Sequence, residues 1–231
     1  MKLAALDRAI EKVKGKDVLV SFSGGKDSWI VLDICSRYAK RFEAFFMYVV
    51  PDLESIQEQM DLAEARYGIK VRHYPHWMRA AYMREGVFCF EKADAPFLAI
   101  NDIYAVARDD AGIELIGHGA KRADSVWRAQ SGAKKFLNGE IVAPLWDWTS
   151  RDVMAYLAIR KLPIPPSTNQ RVNGIGLDTE TICWLYDRYP NDFRKIEEAF
   201  PFCGAAVKRR EWFDIGPWYD GRKAPSFGGT L

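Results

Sequence analysis

The spacing of apolar positions changes along the chain between two periods, one typical of strands and the other typical of helices. Five short apolar runs predict strands, at 18–22, 42–50, 69–73, 113–117 and 141–143. Segments with apolar residues at helical spacing lie around and between them, at 3–13, 29–38, 55–67, 97–111 and 151–160. Because strands that alternate with helices form parallel sheets covered on both sides, we expect an α/β protein with an open, mostly parallel five-stranded sheet and helices on both faces. The aromatic-rich stretch 75–91 predicts no element.

The strand pattern ends before the last quarter of the chain. Asp178 predicts the N-cap of a helix over 179–188, and a second short helix is expected over 192–200. The tail from Lys208 onward, a basic run followed by glycine and proline, is predicted to be irregular. We therefore expect two units, an α/β domain over residues 1–166 and a helical and irregular C-terminal extension over residues 167–231 that packs on it.

The composition narrows the class of protein. The chain has 231 residues and a net charge of +2, which gives no general argument for nucleic acid or a membrane as partner. The N-terminus lacks the apolar core of a signal peptide and no stretch has transmembrane length, so we expect a cytoplasmic protein. The cysteines form no C-x-x-C pair and the histidines no ligand spacing, so we expect free thiols and no metal site. The cysteines are Cys35, Cys89, Cys183 and Cys203.

The strongest chemical signal is the turn between the first strand and the helix after it, where residues 23–28 read Ser-Gly-Gly-Lys-Asp-Ser. Adjacent glycines allow a tight turn and a close ligand, and the backbone N–H groups at a helix N-terminus suit a phosphate. Lysine adds a mobile positive charge and the serines add hydroxyl donors. The glycine spacing excludes a Walker A loop and a G-x-G-x-x-G fingerprint. The residues predicted to bind phosphate are Ser23, Gly24, Gly25, Lys26, Asp27 and Ser28.

A second candidate element is the long polar segment 117–138, between the fourth and fifth strands. Loops of this length inside a compact domain usually serve a function. In an open α/β sheet, ligands bind at the carboxyl ends of the strands, so this segment and the glycine turn lie on the same edge. Because arginine presents paired donors to phosphate or sulfate oxygens, we expect Arg122 and Arg128 to hold a second anionic group of the same ligand.

Three segments in this order carry a family resemblance. They are SFSGGKDS at 21–28, GAKRADSVWR at 119–128, and PLWDWTSRDV at 144–153, which runs on to Leu162-Pro163. Together they resemble the phosphoadenosine phosphosulfate (PAPS) reductase family, a branch of the PP-loop ATP pyrophosphatase, or adenine nucleotide alpha hydrolase-like, superfamily. The resemblance covers roughly residues 17 to 166.

The resemblance implies that an adenine nucleotide, which is PAPS, adenosine phosphosulfate (APS) or ATP, lies across the carboxyl edge of the sheet. Residues 23–28 would hold its phosphate or sulfate, and Arg122 and Arg128 a further anionic group. Asp52 follows the second strand, near where the family places the nucleoside, although the family's Asp-Thr-Gly is absent there. Asp147 and Trp148 would be structural, a brace at a helix N-terminus.

Two chemistries stay open within the family. In a sulfonucleotide reductase, a tail cysteine in Glu-Cys-Gly-x-His attacks the sulfate sulfur, and thioredoxin or another thiol donor resolves the product. Cys203 is the nearest match, without the glutamate or the histidine, and we expect the basic residues 208–210 to lower its pKa unless it is a buried structural residue. In the other chemistry, ATP is cleaved between its α and β phosphates to adenylate an acceptor, and Mg²⁺ and Lys26 stabilise the leaving pyrophosphate.

Two further functions are compatible with the sequence. One is a catalytically inactive module that binds the nucleotide. The other is a sulfur-transfer enzyme that modifies DNA or tRNA, with a basic and aromatic tail on the polynucleotide. Some members of the superfamily with that role hold an iron–sulfur cluster on scattered cysteines, and no cluster is expected here unless Cys89, Cys183 and Cys203 converge. The tail aromatics are Trp212, Phe213, Trp218 and Tyr219.

Overall fold

The computed structural model describes residues 3–124, 140–164 and 176–213. In these ranges five parallel strands form one sheet, in the order β3-β2-β1-β4-β5. The strands are β1 Asp17–Ser21, β2 Arg41–Tyr48, β3 Val71–Pro75, β4 Ile116–Gly117 and β5 Ile141–Val142. The α/β fold with a parallel five-stranded sheet is confirmed, and the strand ends move by a few residues from those predicted.

Nine α-helices accompany the sheet in the part of the chain that the structure describes. They are α1 Leu3–Val13, α2 Lys26–Tyr38, α3 Glu54–Tyr67, α4 Trp77–Glu85, α5 Ile100–Ala111, α6 Ser150–Arg160, α7 Thr179–Arg188, α8 Pro190–Ala199 and α9 Gly204–Trp212. Seven of them lie where the sequence predicts helices, and α4 and α9 are new. No helix within the described ranges is long and apolar enough to cross a membrane.

Helix α9 corrects the prediction that the chain becomes irregular at Lys208. The helix continues to Trp212, with Ala206 and Val207 buried among the C-terminal helices. The side chain of Arg210 pairs with Asp187 of α7 at 2.7 Å. Because a short helix is held mainly by tertiary packing, neither the basic run nor its composition indicates α9 from the sequence.

The sheet carries an apolar layer on each face, since successive strand residues point to opposite sides. On one face Val18 and Val20 of β1 pack in a cluster with α1, α2, α3 and α6. On the other face Leu19 and Phe45 pack with Ile103 of α5. Helices therefore cover both faces, as the alternating pattern predicts.

The C-terminal helices α7, α8 and α9 form a third apolar cluster that includes Val49 and Val50, just after β2. Asp192 of α8 is fully buried, and its carboxylate accepts hydrogen bonds from the backbone N–H groups of Glu54 at 2.7 Å and Ser55 at 2.9 Å. A carboxylate at this position satisfies the first turn of α3 and suits its N-terminal dipole. The C-terminal helices thus contact the carboxyl edge of the sheet.

Trp148 braces the first helix against the segment after β5. Its indole is 2% exposed, and Nε1 donates to the carbonyl oxygen of Ala5 at 3.1 Å. Thr149 and Asp152 form a capping box at the start of α6, because each side chain accepts from the other residue's backbone N–H. The structural role expected for Trp148 is confirmed.

Candidate functional site

The strand order places the candidate site at a change of direction in the sheet. From β1 the chain moves outward through β2 and β3, and it then crosses to the other side of β1 to form β4 and β5. The carboxyl ends of β1 and β4 therefore flank the switch point at which open α/β sheets bind ligands. The glycine turn, residues 22–25, follows β1, and residues 118–124 follow β4.

The backbone of the glycine turn has the geometry that the sequence indicates. Gly24 has φ of 71°, in the left-handed region, and a Cβ there would lie 3.2 Å from the Cβ of Gln59 on α3. Gly25 is the N-cap of α2, and no side chain caps the amides of the first turn at this position. Such an N-terminus attracts an anion.

Ser23 of the turn and Ser28 of α2 bond mainly to each other and to Gly25. The hydroxyl of Ser28, which is 4% exposed, donates to the carbonyl of Gly25 at 2.8 Å and accepts from the backbone N–H of Ser23 at 3.2 Å. The hydroxyl of Ser23 accepts from the backbone N–H of Gly25 at 3.4 Å, while Ser23 itself is exposed. Ser28 therefore shapes the loop, and Ser23 is the hydroxyl that a ligand reaches more easily.

Two ammonium groups meet one carboxylate oxygen beside the turn. Lys121 Nζ lies 2.6 Å from Oδ2 of Asp27 and 3.0 Å from Oδ1 of Asp124, and its side chain is 4% exposed. Lys26 Nζ lies 3.4 Å from the same Oδ2, with its side chain 34% exposed. The carboxylate of Asp27 is thus bound by cations, so its predicted contact with phosphate would have to come from the backbone amide.

Lys121 is a residue that the sequence prediction did not include in the site. It is buried, although lysine is rarely buried without a charged partner. The nearby Gly119 shows how closely the segment after β4 packs on α2, since a Cβ there would lie 3.2 Å from the backbone nitrogen of Ser28. Lys121 lies within the segment 117–138, which was predicted to be functional. Its partner Asp27 is 94 residues away, so the sequence does not indicate the pair.

The structure describes one of the two predicted arginines, Arg122, and not the other. Arg122 is exposed, and its guanidinium lies 4.0 Å from Asp147, which also lies 3.8 Å from Arg8. Its backbone N–H donates to the carbonyl of Trp146 at 2.9 Å, which fixes the main chain at the edge of the sheet. Arg128 lies outside the described residues. Asp147 has ion-pair partners on two elements, consistent with the structural role expected of it.

Asp52 lies at the exposed turn between β2 and α3. It has φ of 57°, and its carbonyl accepts a hydrogen bond from Lys195 of α8. An apolar cleft opens beside this turn, lined by Tyr48 and Val50 from the end of β2, by Ile56 of α3 and by residues of α7 and α8. Ile56 precedes Met60, which borders Gly24, by one helical turn of α3.

Cys203 does not have the surroundings of a reactive thiol. It is fully buried, and burial together with the nearby carboxylate of Glu197 raises its pKa to about 11. The expectation that the basic run lowers this pKa is wrong, because Lys208 pairs with Glu211 and Arg210 with Asp187. The thiolate is the reactive form of cysteine, and this environment disfavours it.

One apolar cluster of side chains contains Cys89, Cys183 and Cys203. The three cysteines therefore converge, which an iron–sulfur centre would require. Burial also raises the pKa of Cys183 to about 11, and its Sγ contacts the carbonyl of Ala206 at 3.7 Å. Within the described ranges, no group of three or more His, Cys, Asp or Glu side chains is arranged to hold a metal ion. The three thiols therefore pack in the core of the C-terminal helices.

A glycine turn at the switch point of a parallel sheet, with a lysine beside an uncapped helix N-terminus, is an arrangement that α/β domains use to bind phosphate groups. The chain belongs to the phosphoadenosine phosphosulfate reductase domain family, whose model matches residues 17–182. The match extends from β1 into α7 and includes both the glycine turn and the segment after β4. Comparison with curated protein sequences finds no match.

Proposed function

We propose that the protein binds ATP, as its Mg²⁺ complex, at residues 23–28 and cleaves it between the α and β phosphates to adenylate an acceptor. The burial of Cys203 is the observation that favours ATP cleavage over sulfonucleotide reduction within the family. Reduction of a sulfonucleotide needs a thiolate, and the buried Cys203 with its raised pKa does not supply one in this conformation. Cleavage of ATP needs no thiol of the protein.

The proposed reaction balances without a redox step. A nucleophilic oxygen or nitrogen of the acceptor attacks the α phosphorus, the bond from that phosphorus to the bridging oxygen breaks, and pyrophosphate leaves with the bonding electrons. The proton of the acceptor passes to solvent. Lys26 and the amides at the start of α2 stabilise the charge that develops on the leaving group. Mg²⁺ arrives with the nucleotide as part of the substrate.

The family match supports an adenine nucleotide over a simple phosphate, because members of the phosphoadenosine phosphosulfate reductase domain family bind adenine nucleotides. The α phosphate that the proposed cleavage requires belongs to such a nucleotide.

Reduction of a sulfonucleotide is the second candidate, and the family match favours it. In that reaction the Cys203 thiolate would attack the sulfate sulfur and release an adenine nucleotide, and thioredoxin or another thiol donor would then release sulfite and become a disulfide. The thiol would first have to reach the edge of the sheet, so this candidate requires the C-terminal cluster to open.

Product analysis under anaerobic conditions distinguishes the two candidates. One sample contains the protein with MgATP and a set of candidate acceptors, and the other contains PAPS with reduced thioredoxin. Ion-exchange chromatography then measures AMP, pyrophosphate, adenosine bisphosphate and sulfite. We expect AMP, free or bound to an acceptor, and pyrophosphate in the first sample, with both lost in Lys26→Met. Sulfite in the second sample, lost in Cys203→Ala, would replace the proposal with the reductase.

A further inference from the structure

We infer that Lys121 is a positioning residue of the phosphate site: it holds the carboxylate of Asp27 and so leaves Lys26 available to the phosphates of the ligand. The inference rests on the proposed function, because it assumes a phosphate ligand at the turn. It concerns a side chain that lies after β4 and contacts α2 across the switch point of the sheet.

Lys121 and Lys26 both approach Oδ2 of Asp27, and Lys121 lies closer to it. Lys121 Nζ lies 2.6 Å from Oδ2 of Asp27, within strong hydrogen-bonding distance, while Lys26 Nζ lies 3.4 Å from the same atom. Lys121 is held on its other side by Asp124 at 3.0 Å. The buried ammonium therefore stays with Asp27, and the half-exposed Lys26 is the cation that can change partner.

Without the cation of Lys121, the carboxylate of Asp27 would repel a phosphate bound at the start of α2. Its carboxylate belongs to the first turn of α2, where an incoming anion is expected to bind, and like charges at this distance repel each other. Its other oxygen, Oδ1, is buried without a hydrogen-bond partner among the described residues. Lys121 offsets the negative charge, and the buried contact is screened less by salt than a surface pair.

The close packing of the segment after β4 keeps Lys121 in place. A Cβ at Gly119 would lie 3.2 Å from the carbonyl carbon and the Cβ of Asp27, so the backbone of this segment rests directly on α2. The backbone N–H of Lys121 donates to Asp124 at 2.9 Å, which fixes the short turn at residues 122–124. The ion pair between Lys121 and Asp27 thus joins the segment after β4 to α2, and these two elements pack against each other.

Chemical labelling of Lys26 tests the inference without nucleotide. Trace acylation by acetic anhydride, read by mass spectrometry, measures the rate at which the amine of Lys26 reacts. In Lys121→Met the whole carboxylate of Asp27 becomes available to Lys26, so we expect acylation of Lys26 to slow by about tenfold, the effect of a close opposite charge. In Lys121→Arg, which keeps the cation, the rate should stay within about twofold of the wild type.

The double variant Lys121→Met/Asp27→Asn separates this role from a merely structural one. Removal of the carboxylate should restore the rate of Lys26 labelling, whereas simple damage to the loop would persist or grow. Equal labelling in the wild type and Lys121→Met, or no recovery in the double variant, would overturn the inference. If Lys121→Met does not fold by circular dichroism, Lys121→Gln removes the charge, keeps a donor and supports the same comparison.

A second arm of the same experiment reports on the proposed function. In the wild type, MgATP should protect Lys26 from acylation, and adenosine should not. A lack of protection would count against the proposed nucleotide site, while the labelling rates of the variants would still decide the role of Lys121. A failure of the proposed nucleotide site is therefore distinguishable from a failure of the role inferred for Lys121.

Discussion

The carboxylate of Asp192 in α8 accepts a hydrogen bond from the backbone N–H of Glu54 at 2.7 Å, although the two residues are 138 positions apart. Asp192 thereby caps α3, a helix that borders both the glycine turn and the apolar cleft. Lys195, one turn further along α8, donates to the carbonyl of Asp52 in the same β2–α3 connection. The C-terminal helices therefore determine the shape of one wall of the candidate site.

We expect Asp192→Ala to lower the free energy of unfolding by about 2–4 kcal/mol, because it removes a buried cap and leaves two backbone N–H groups without their acceptor. Urea unfolding followed by circular dichroism measures the change. Glu198→Ala, an exposed position on the same helix, is the matched control and should change stability by less than about 0.5 kcal/mol. Equal effects of the two substitutions would show that the cap contributes little.

Gly24→Ala should separate the cost of backbone strain from the loss of binding. Alanine at φ of 71° costs about 1 kcal/mol, and its Cβ would press on Gln59 at 3.2 Å and displace the turn. Gly112→Ala meets similar strain at φ of 61°, with nothing within 4 Å of the new Cβ. Gly24→Ala should lose at least as much stability as Gly112→Ala in thermal unfolding, and Gly24→Ala alone should lose at least about tenfold in affinity for ATP. A similar loss of affinity in Gly112→Ala would contradict a specific role for the turn.

Cys203 should react slowly with thiol reagents in the native protein. Because burial raises its pKa to about 11, we expect its modification by iodoacetamide at about pH 8 to be at least about tenfold slower than in the urea-unfolded chain. Mass spectrometry of the labelled peptide measures both rates. Fast native labelling at Cys203 would show that the thiol reaches solvent and would favour the reductase.

The protein should lose stability in alkaline solution through its buried tyrosines. Burial and the adjacent carboxylate of Asp33 raise the pKa of Tyr156, and burial raises the pKa of Tyr104 to about 12. A pKa raised by folding contributes stability that is present below the ordinary tyrosine value of about 10 and is lost as the pH rises through the folded value.

Tyr156→Phe isolates one contribution to this pH dependence. At neutral pH the variant should be less stable by about 1 kcal/mol, since it lacks the hydrogen bond from the Tyr156 hydroxyl to Asp33. Between about pH 9 and about pH 11 its stability should fall less steeply than that of the wild type. Parallel pH profiles from urea unfolding would contradict the assignment.

The sequence was sufficient for the fold because its local patterns agree with one another. Apolar runs such as 18–22 alternate with amphipathic helices, and the predicted capping residue Asp178 is the N-cap of α7. Helix α4 was missed because its buried side is small, with Ala80 its one fully buried residue. Helix α9 was missed because packing against α7, and not composition, holds it.

The candidate site was predictable where the chemistry is local. Residues 23–28 are contiguous in sequence, and their position after β1 follows from strand–helix alternation. The buried partners were not predictable, because Lys121 meets Asp27 across 94 positions and Arg160 meets Asp33 across 127. The pKa of Cys203 was predicted in the wrong direction, since the basic residues after it are adjacent in sequence and paired with other carboxylates in space.

A phosphate site at residues 23–28 predicts that the protein binds ATP more tightly than adenosine, which isothermal titration calorimetry with Mg²⁺ present measures. We expect ATP to bind at least about tenfold more tightly, since adenosine lacks the charge-assisted contacts to phosphate. Lys26→Met should remove that difference, whereas the exposed control Lys40→Met should keep it. Equal affinity for ATP and adenosine in the wild type, or an unchanged preference in Lys26→Met, would contradict a phosphate site at residues 23–28.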